Sequence, residues 1–143
     1  MKLYLANPFQ TRHETREWEL ETEKLTGIEL FNPFYDAPGR FDVKAIDKGE
    51  AKRYENLDYE ALVQNDISHL LSCDGLVGII NGSVSYGTIM EIAYADMCGI
   101  DHIFLLVTNG HHEHPWLRYH SDEIVTTPKD MQTLLQTFKE GEH

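Results

Sequence analysis

Residues 75–107 read GLVGIINGSVSYGTIMEIAYADMCGIDHIFLLV, two uniformly apolar runs on either side of a helical pattern. Gly75–Ile80 (GLVGII) and His102–Val107 (HIFLLV) show no polar–apolar alternation. A strand reads this way when helices cover both its faces, as inside a parallel sheet. Between them Ile89, Ile92, Ala93 and Met97 recur at helical spacing and predict the buried stripe of a helix. That helix carries a carboxylate, Glu91, one turn after Gly87.

Working outward, Lys2–Ala6 (KLYLA) is a first strand, ended by Asn7-Pro8. From Gln10 to Thr26 the chain is polar, with Trp18, Leu20 and Leu25 as sparse apolar marks. This suits an exposed helix that Gly27 closes. Ile28–Phe31 (IELF) is a second strand, stopped by Asn32-Pro33. Residues 32–50, with Pro33, Phe34, Tyr35, Pro38, Gly39, Phe41 and Gly49, form a long loop of the kind that often binds ligands. A plain surface excursion reads equally well. Residues 54–71 are helical by pattern, 108–121 a histidine-rich loop, and 123–126 a short edge strand. Pro128 opens a last helix running to about Phe138.

Strands alternating with helices imply an α/β fold, a five-stranded parallel sheet of flavodoxin-like (Rossmann-like) order in a three-layer α/β/α sandwich. The 143 residues suit a single domain, 1–143. In such sheets ligands bind at the strand carboxyl ends. That rule gathers residues 6–9, 32–35, 81–88 and 108–116 around one crevice.

A formal net charge of -12 excludes nonspecific nucleic-acid binding, which needs a basic face. It leaves room for a small anion held by local amides and one arginine. The chain opens MKLYLANPF, without a basic leader or a long apolar run, so no signal peptide is expected. No stretch approaches the ~20 apolar residues of a membrane span. Cys73 and Cys98 are expected to be reduced, buried thiols of a cytoplasmic protein.

For chemistry, Ser85 can cap the helix that follows, whose first amides make a small anion site. Gly87 leaves the backbone approachable, and Glu91, four residues on, projects over the same face. A plain surface glutamate near a helix start fits the spacing equally. Asp66 and Asp74 lie upstream; the first reads also as helix surface and the second as a cap. Two separate carboxylates at one crevice permit acid–base or nucleophilic work on a glycosidic bond.

NDISHLLSCDGLVGIINGSVSYGTIMEIAYADMCG (65–99), with its S-x-G-T-x-x-E-I-x-Y-A motif, resembles the nucleoside 2-deoxyribosyltransferase family, which includes related 2′-deoxynucleoside 5′-monophosphate N-hydrolases. The start, YLANPF, is similar to that family's Y-L-A-x-P-F strand and turn. The resemblance covers 3–9 and about 59–107; the loop at 32–50 and the tail after 108 match loosely. It implies a flavodoxin-like fold and a homo-oligomer. It makes Glu91 the nucleophile that attacks C1′ of a 2′-deoxyribose, Asp66 the residue that handles the leaving base's proton, and Tyr4 the residue that positions Glu91. Pro8 and Phe9 would lie beside the base or sugar. The sugar then passes to a second nucleobase or to water. A carboxylate stabilises the oxocarbenium-like transition state, and no metal or other cofactor is required.

Where many transferases carry an aspartate six residues before the glutamate, this chain has Ser85. A serine there resembles the N-hydrolases, in which it binds phosphate, and Arg12 can add a charge-assisted bond. Ser85 as a simple cap and Arg12 as a surface residue are the plain alternatives. The YLANPF start and the aromatic loop favour the transferase. His111, His112, Glu113, His114 and His120 lack a fixed metal-binding frame, so no metal site is expected. Through a loose match, His114 aligns with a segment that family members lend to a neighbouring subunit, and Trp116 reads as a packing or interface anchor. There is no dinucleotide fingerprint, P-loop or G-x-S-x-G elbow. A non-catalytic nucleotide-binding module is the non-enzymatic alternative. The expected partners are therefore a 2′-deoxynucleoside or 2′-deoxynucleotide and a free nucleobase, with no nucleic-acid polymer and no membrane.

Overall fold

The computed structural model describes residues 1–37, 43–82 and 85–141. Pro38, Gly39 and Phe41 of the anticipated loop, and Ser83, lie outside them. Five strands, β1 (Lys2–Ala6), β2 (Glu29–Phe31), β3 (Gly75–Ile80), β4 (His102–Val107) and β5 (Glu123–Val125), form one parallel sheet in the order β2-β1-β3-β4-β5. The helices are α1 (Arg12–Thr26), α2 (Pro33–Asp36), α3 (Val43–Asp47), α4 (Tyr59–Leu71), α5 (Tyr86–Met97), α6 (Pro115–Tyr119) and α7 (Pro128–Glu140). This is the expected flavodoxin-like sandwich. None of the described helices is long and apolar enough to cross a membrane.

The pleat divides the core in two. Tyr4, Ala6, Leu76 and Leu105 face the side of α4 and α5, meeting Leu70, Ile92 and Ala95. Leu3, Leu5, Val77 and Leu106 face the other side, meeting Met131 and Leu135 of α7. Gly78 allows α5 to lie close on β3. A Cβ there would meet Ile92 Cδ1 at 2.9 Å and Leu105 Cδ2 at 2.8 Å.

Several sequence expectations change. The buried face of α5 is Thr88, Ile92 and Ala95, whereas Ile89 is exposed and Met97 is 80% exposed. Only one narrow face of α5 meets the sheet, so part of the apolar stripe is left over. On α1 the buried positions are Thr15, Glu19, Thr22 and Thr26, while Leu20 and Leu25 are exposed. Glu19, Thr22 and Thr26 are tolerated there because they are paired. Thr26 Oγ1 donates to Thr22 O at 2.7 Å, and Gln132 Nε2 to Thr22 Oγ1 at 3.0 Å. The segment 32–50 holds α2 and α3 instead of continuous loop, and 108–121 holds α6. Helix α4 begins at Tyr59, where the Asp58 side chain accepts from Ala61 N. Cys73 is buried as expected, but Cys98 is exposed just past the end of α5; both are free thiols.

Candidate active site

Glu91 projects from α5 toward the carboxyl edge of the sheet, half-buried. Its carboxylate accepts a hydrogen bond from the Tyr4 hydroxyl. Tyr4 is fully buried in β1, and its ring stacks on Phe31 with centroids 6.0 Å apart. Phe31 in turn stacks on His69 of α4 at 4.5 Å. A hydroxyl from the middle of the core thus meets a carboxylate on the neighbouring helix.

Glu91 opens into a cavity of about 160 Å³, walled by Asn7, Pro8 and Phe9 after β1, Phe34 of α2, Arg53 and Tyr54, and Ser85, Gly87 and Thr88 at the start of α5. A Cβ on Gly87 would meet nothing within 4 Å, so this glycine faces open space as its spacing suggests. Phe9 packs edge-on against Phe34 at 5.4 Å. Ser85 is the N-cap of α5; its hydroxyl lies 2.9 Å from Thr88 Oγ1 and accepts from Thr88 N at 3.5 Å. A larger, apolar cavity of about 290 Å³ lies on the other side of this turn and shares Pro8, Ser85 and Thr88 with the first. His111, His114, Trp116 and Leu117 close it.

The remaining predicted residues fall elsewhere. Arg12 lines neither cavity. Its Nε and Nη2 bond Asp47 Oδ1 at 3.0 and 2.5 Å, and its Nη1 bonds Phe9 O at 2.8 Å, so it clasps α3 to the turn after β1. The guanidinium in the Glu91 cavity is that of Arg53, 4.2 Å from the Phe9 ring centre. Nothing in the polar stretch KRYEN marks Arg53 in the sequence. His114 caps α6, its Nδ1 accepting from Trp116 N at 3.2 Å, and belongs to the apolar cavity. Asp66 sits half-buried on α4, one turn before the buried Leu70. Because α4 runs antiparallel to the strands, Asp66 lies nearer their carboxyl edge than Leu70 does. It is not among the wall residues of either cavity. Asp74 is structural, since its Oδ2 accepts from Lys2 N at 2.9 Å at the opposite edge of the sheet.

Sequence reasoning also missed Glu19, fully buried on α1. Burial raises its carboxyl from the ordinary 4.5 to about 7, against the opposing pull of Asn32 and Arg16.

No protein-family model matches this chain, and no curated protein matches it. Solved structures share its fold. A conserved protein from Enterococcus faecalis V583 superposes with a TM-score of 0.69 at 16% identity, covering 96% of this chain and 98% of that one. A 2-deoxyribosyltransferase from Bacillus psychrosaccharolyticus does so with a TM-score of 0.67 at 18% identity, covering 92% and 90%. The CMP N-glycosidase BcmB of Clostridium botulinum follows with a TM-score of 0.62 at 16% identity, covering 96% and 99%.

Proposed function

We propose that this protein is an enzyme that cleaves the N-glycosidic bond of 2′-deoxynucleosides and passes the sugar to another nucleobase. The observation that supports this most is the Tyr4–Glu91 pair at the wall of a cavity of nucleoside-compatible chemistry. A carboxylate oriented by a buried hydroxyl is equipped to act as a nucleophile. One Glu91 oxygen bonds to C1′, and the C1′–N bond breaks with its electron pair going to the base. Asp66 is assigned the proton that the departing base takes up. A nitrogen of the second base then attacks C1′, releases Glu91 and gives up its own proton. Phe9 and Phe34 offer apolar ring surface beside the base or sugar, and Pro8 joins the two cavities. The bacterial 2-deoxyribosyltransferase and the CMP N-glycosidase of the same fold agree with chemistry at this bond.

A second reading is a 2′-deoxynucleoside 5′-monophosphate N-hydrolase, with water as acceptor. Arg53 favours it, because a guanidinium shares the cavity with Ser85 and the first amides of α5, a combination suited to phosphate. Under this reading Ser85→Asp lowers cleavage of monophosphates and spares free nucleosides. A third, non-catalytic reading fails if Glu91→Ala abolishes turnover while ligand affinity persists. The exposed side chains of Met90, Met97, Trp116 and Tyr119 on α5 and α6 are assigned to contact with a second copy of the chain.

The deciding assay incubates the protein with deoxyinosine or dIMP, with and without adenine, and resolves bases and nucleosides by chromatography. Deoxyadenosine formed only with adenine supports the transferase. Free hypoxanthine from dIMP without exchange supports the hydrolase. No product from either, with an intact fold, refutes both.

A further inference from the structure

Glu19 takes no part in the chemistry above, yet its carboxylate is tied to the cavity by a chain of buried amides. Oε1 accepts from Asn32 Nδ2 at 2.8 Å, and Oε2 from Arg16 Nη1 at 2.6 Å. The first bond fixes which way the fully buried Asn32 amide faces. Asn32 Oδ1 is then directed away from Glu19, where it accepts from Phe34 N at 3.1 Å and from Asn7 Nδ2 at 3.4 Å. Phe34 and Asn7 are both walls of the Glu91 cavity. Asn7 Nδ2 also donates to Leu5 O at 3.0 Å. This orientation leaves buried Asn7 Oδ1 with no partner among the described residues.

A proton on Glu19 Oε1, the oxygen away from the Arg16 guanidinium, does not fit this arrangement, because its O–H must donate and Asn32 Nδ2 is itself a donor, while Oε2 goes on accepting from Arg16. A half-turn of the Asn32 amide repairs the mismatch by turning Oδ1 toward Glu19. Asn32 Nδ2 then meets Phe34 N–H and Asn7 Nδ2, donor against donor. The Asn7 amide relieves its part by turning in its place, so that its Oδ1 accepts from Asn32 Nδ2. In this second arrangement Asn7 Oδ1 gains a donor, while Asn7 Nδ2 takes the partnerless position, Phe34 N loses its cap and Leu5 O its donor. The first arrangement leaves one buried polar atom short and the second leaves more, so ionised Glu19 holds the first and protonation is what favours the second.

We propose that Glu19 is a positioning residue whose ionisation sets the orientation of the Asn32 and Asn7 amides, and through them the Phe34 wall of the Glu91 cavity. The charged groups facing it are Arg16 and Glu23 of α1 and Asp36 of α2. Tyr35, under the Arg16 guanidinium at 4.7 Å, is the other titratable neighbour. Burial brings the Glu19 transition to about 7, so the switch operates near neutrality. The catalytic consequence rests on the function proposed above; the amide relay does not.

The test follows the side-chain amide resonances of Asn32 and Asn7 and the backbone amide of Phe34 by NMR as pH is varied. All three are expected to move with one shared midpoint near 7. In Glu19→Gln, where this carboxyl is gone, they stay still between about pH 6 and pH 8. Arg16→Gln removes a favourable charge and moves the midpoint upward, which serves if the first variant does not fold. Resonances that do not move, or that move equally in Glu19→Gln, overturn the relay. In turnover, the KM of the wild type rises severalfold from about pH 8 to about pH 6 with a smaller change in kcat, and this dependence is lost in Glu19→Gln. Moving amides without any turnover refute the enzymatic reading and leave the relay standing. A KM profile shared by wild type and Glu19→Gln removes Glu19 from control of the site.

Discussion

Tyr4→Phe isolates one atom at the proposed reaction centre. The ring is fully buried and stacked on Phe31, and phenylalanine keeps its shape and packing. Only the hydroxyl that donates to Glu91 is lost. A hydrogen bond to a charged group contributes about 1.5–3 kcal/mol. If it holds the carboxylate in line for C1′, its loss lowers kcat roughly 10- to 150-fold. Global stability should change by less than about 1 kcal/mol, because volume is conserved and the freed carboxylate oxygen adjoins a cavity that water can enter. Tyr4→Ala is the wrong probe, since emptying the core by a whole ring costs several kcal/mol and confounds chemistry with folding. The assay is base release under saturating nucleoside, with thermal unfolding measured on the same preparation. A Tyr4→Phe rate within about twofold of wild type, at unchanged stability, would refute the positioning role. A fall in rate matched by a collapse in the unfolding midpoint would show instead that the hydroxyl serves the core.

Gly78→Ala forces a methyl against Ile92 and Leu105, so it should cost about 1–3 kcal/mol and displace the helix that carries Glu91; thermal unfolding and kcat fall together. Gly87→Ala meets no neighbour within 4 Å and removes a helix glycine, so the unfolding midpoint holds or rises while the methyl narrows the cavity and raises KM. Because the Glu19 carboxyl is raised to about 7, the folded protein holds a proton that the unfolded chain loses near 4.5, and stability falls as pH rises between these values. The unfolding midpoint of wild type should therefore drop more across this window than that of Glu19→Gln; parallel curves would contradict the buried titration. Met97→Lys and Trp116→Lys place charge on the exposed apolar face of α5 and α6, and sedimentation should show smaller species than wild type forms.

The elements legible in the sequence were those whose side chains meet one environment throughout. β1, β3 and β4 match their predicted bounds because apolar neighbours cover both faces. Glu91 and Gly87 could be placed together because four residues along a helix return to the same face. The short helices α2, α3 and α6 have at most five residues, too few to show a period. Arg53 reaches the cavity through the path of a connection, which residue pattern does not encode. On α1 the pattern misled. Leu20 and Leu25 are exposed, and Glu19 and Thr22 are inside, because their partners Asn32 and Gln132 arrive only in the folded chain.

That inversion on α1 bears on where the molecule departs from an economical fold. A leucine at position 19 would bury apolar surface without desolvating a charge, and would suit the α7-facing core better than a carboxyl pushed to about 7. It would leave the Asn32 amide with no acceptor to set its direction. The α2 cap and the Asn7 side chain would then lose their common reference. The departures gather at the carboxyl ends of β1 and β2: buried Glu19, paired Asn32 and the orphaned Asn7 oxygen. The same cavity is lined by Glu91, whose carboxylate accepts from a hydroxyl of the core. Local cost concentrated around one cavity is the pattern expected when geometry there serves function in addition to folding. In this molecule the two walls are fixed by different means. Tyr4 meets the carboxylate through a hydroxyl on a ring packed in the core, and Glu19 is assigned the Phe34 wall through its proton. A pH change near 7 should therefore act on how substrate is held at the Phe34 wall.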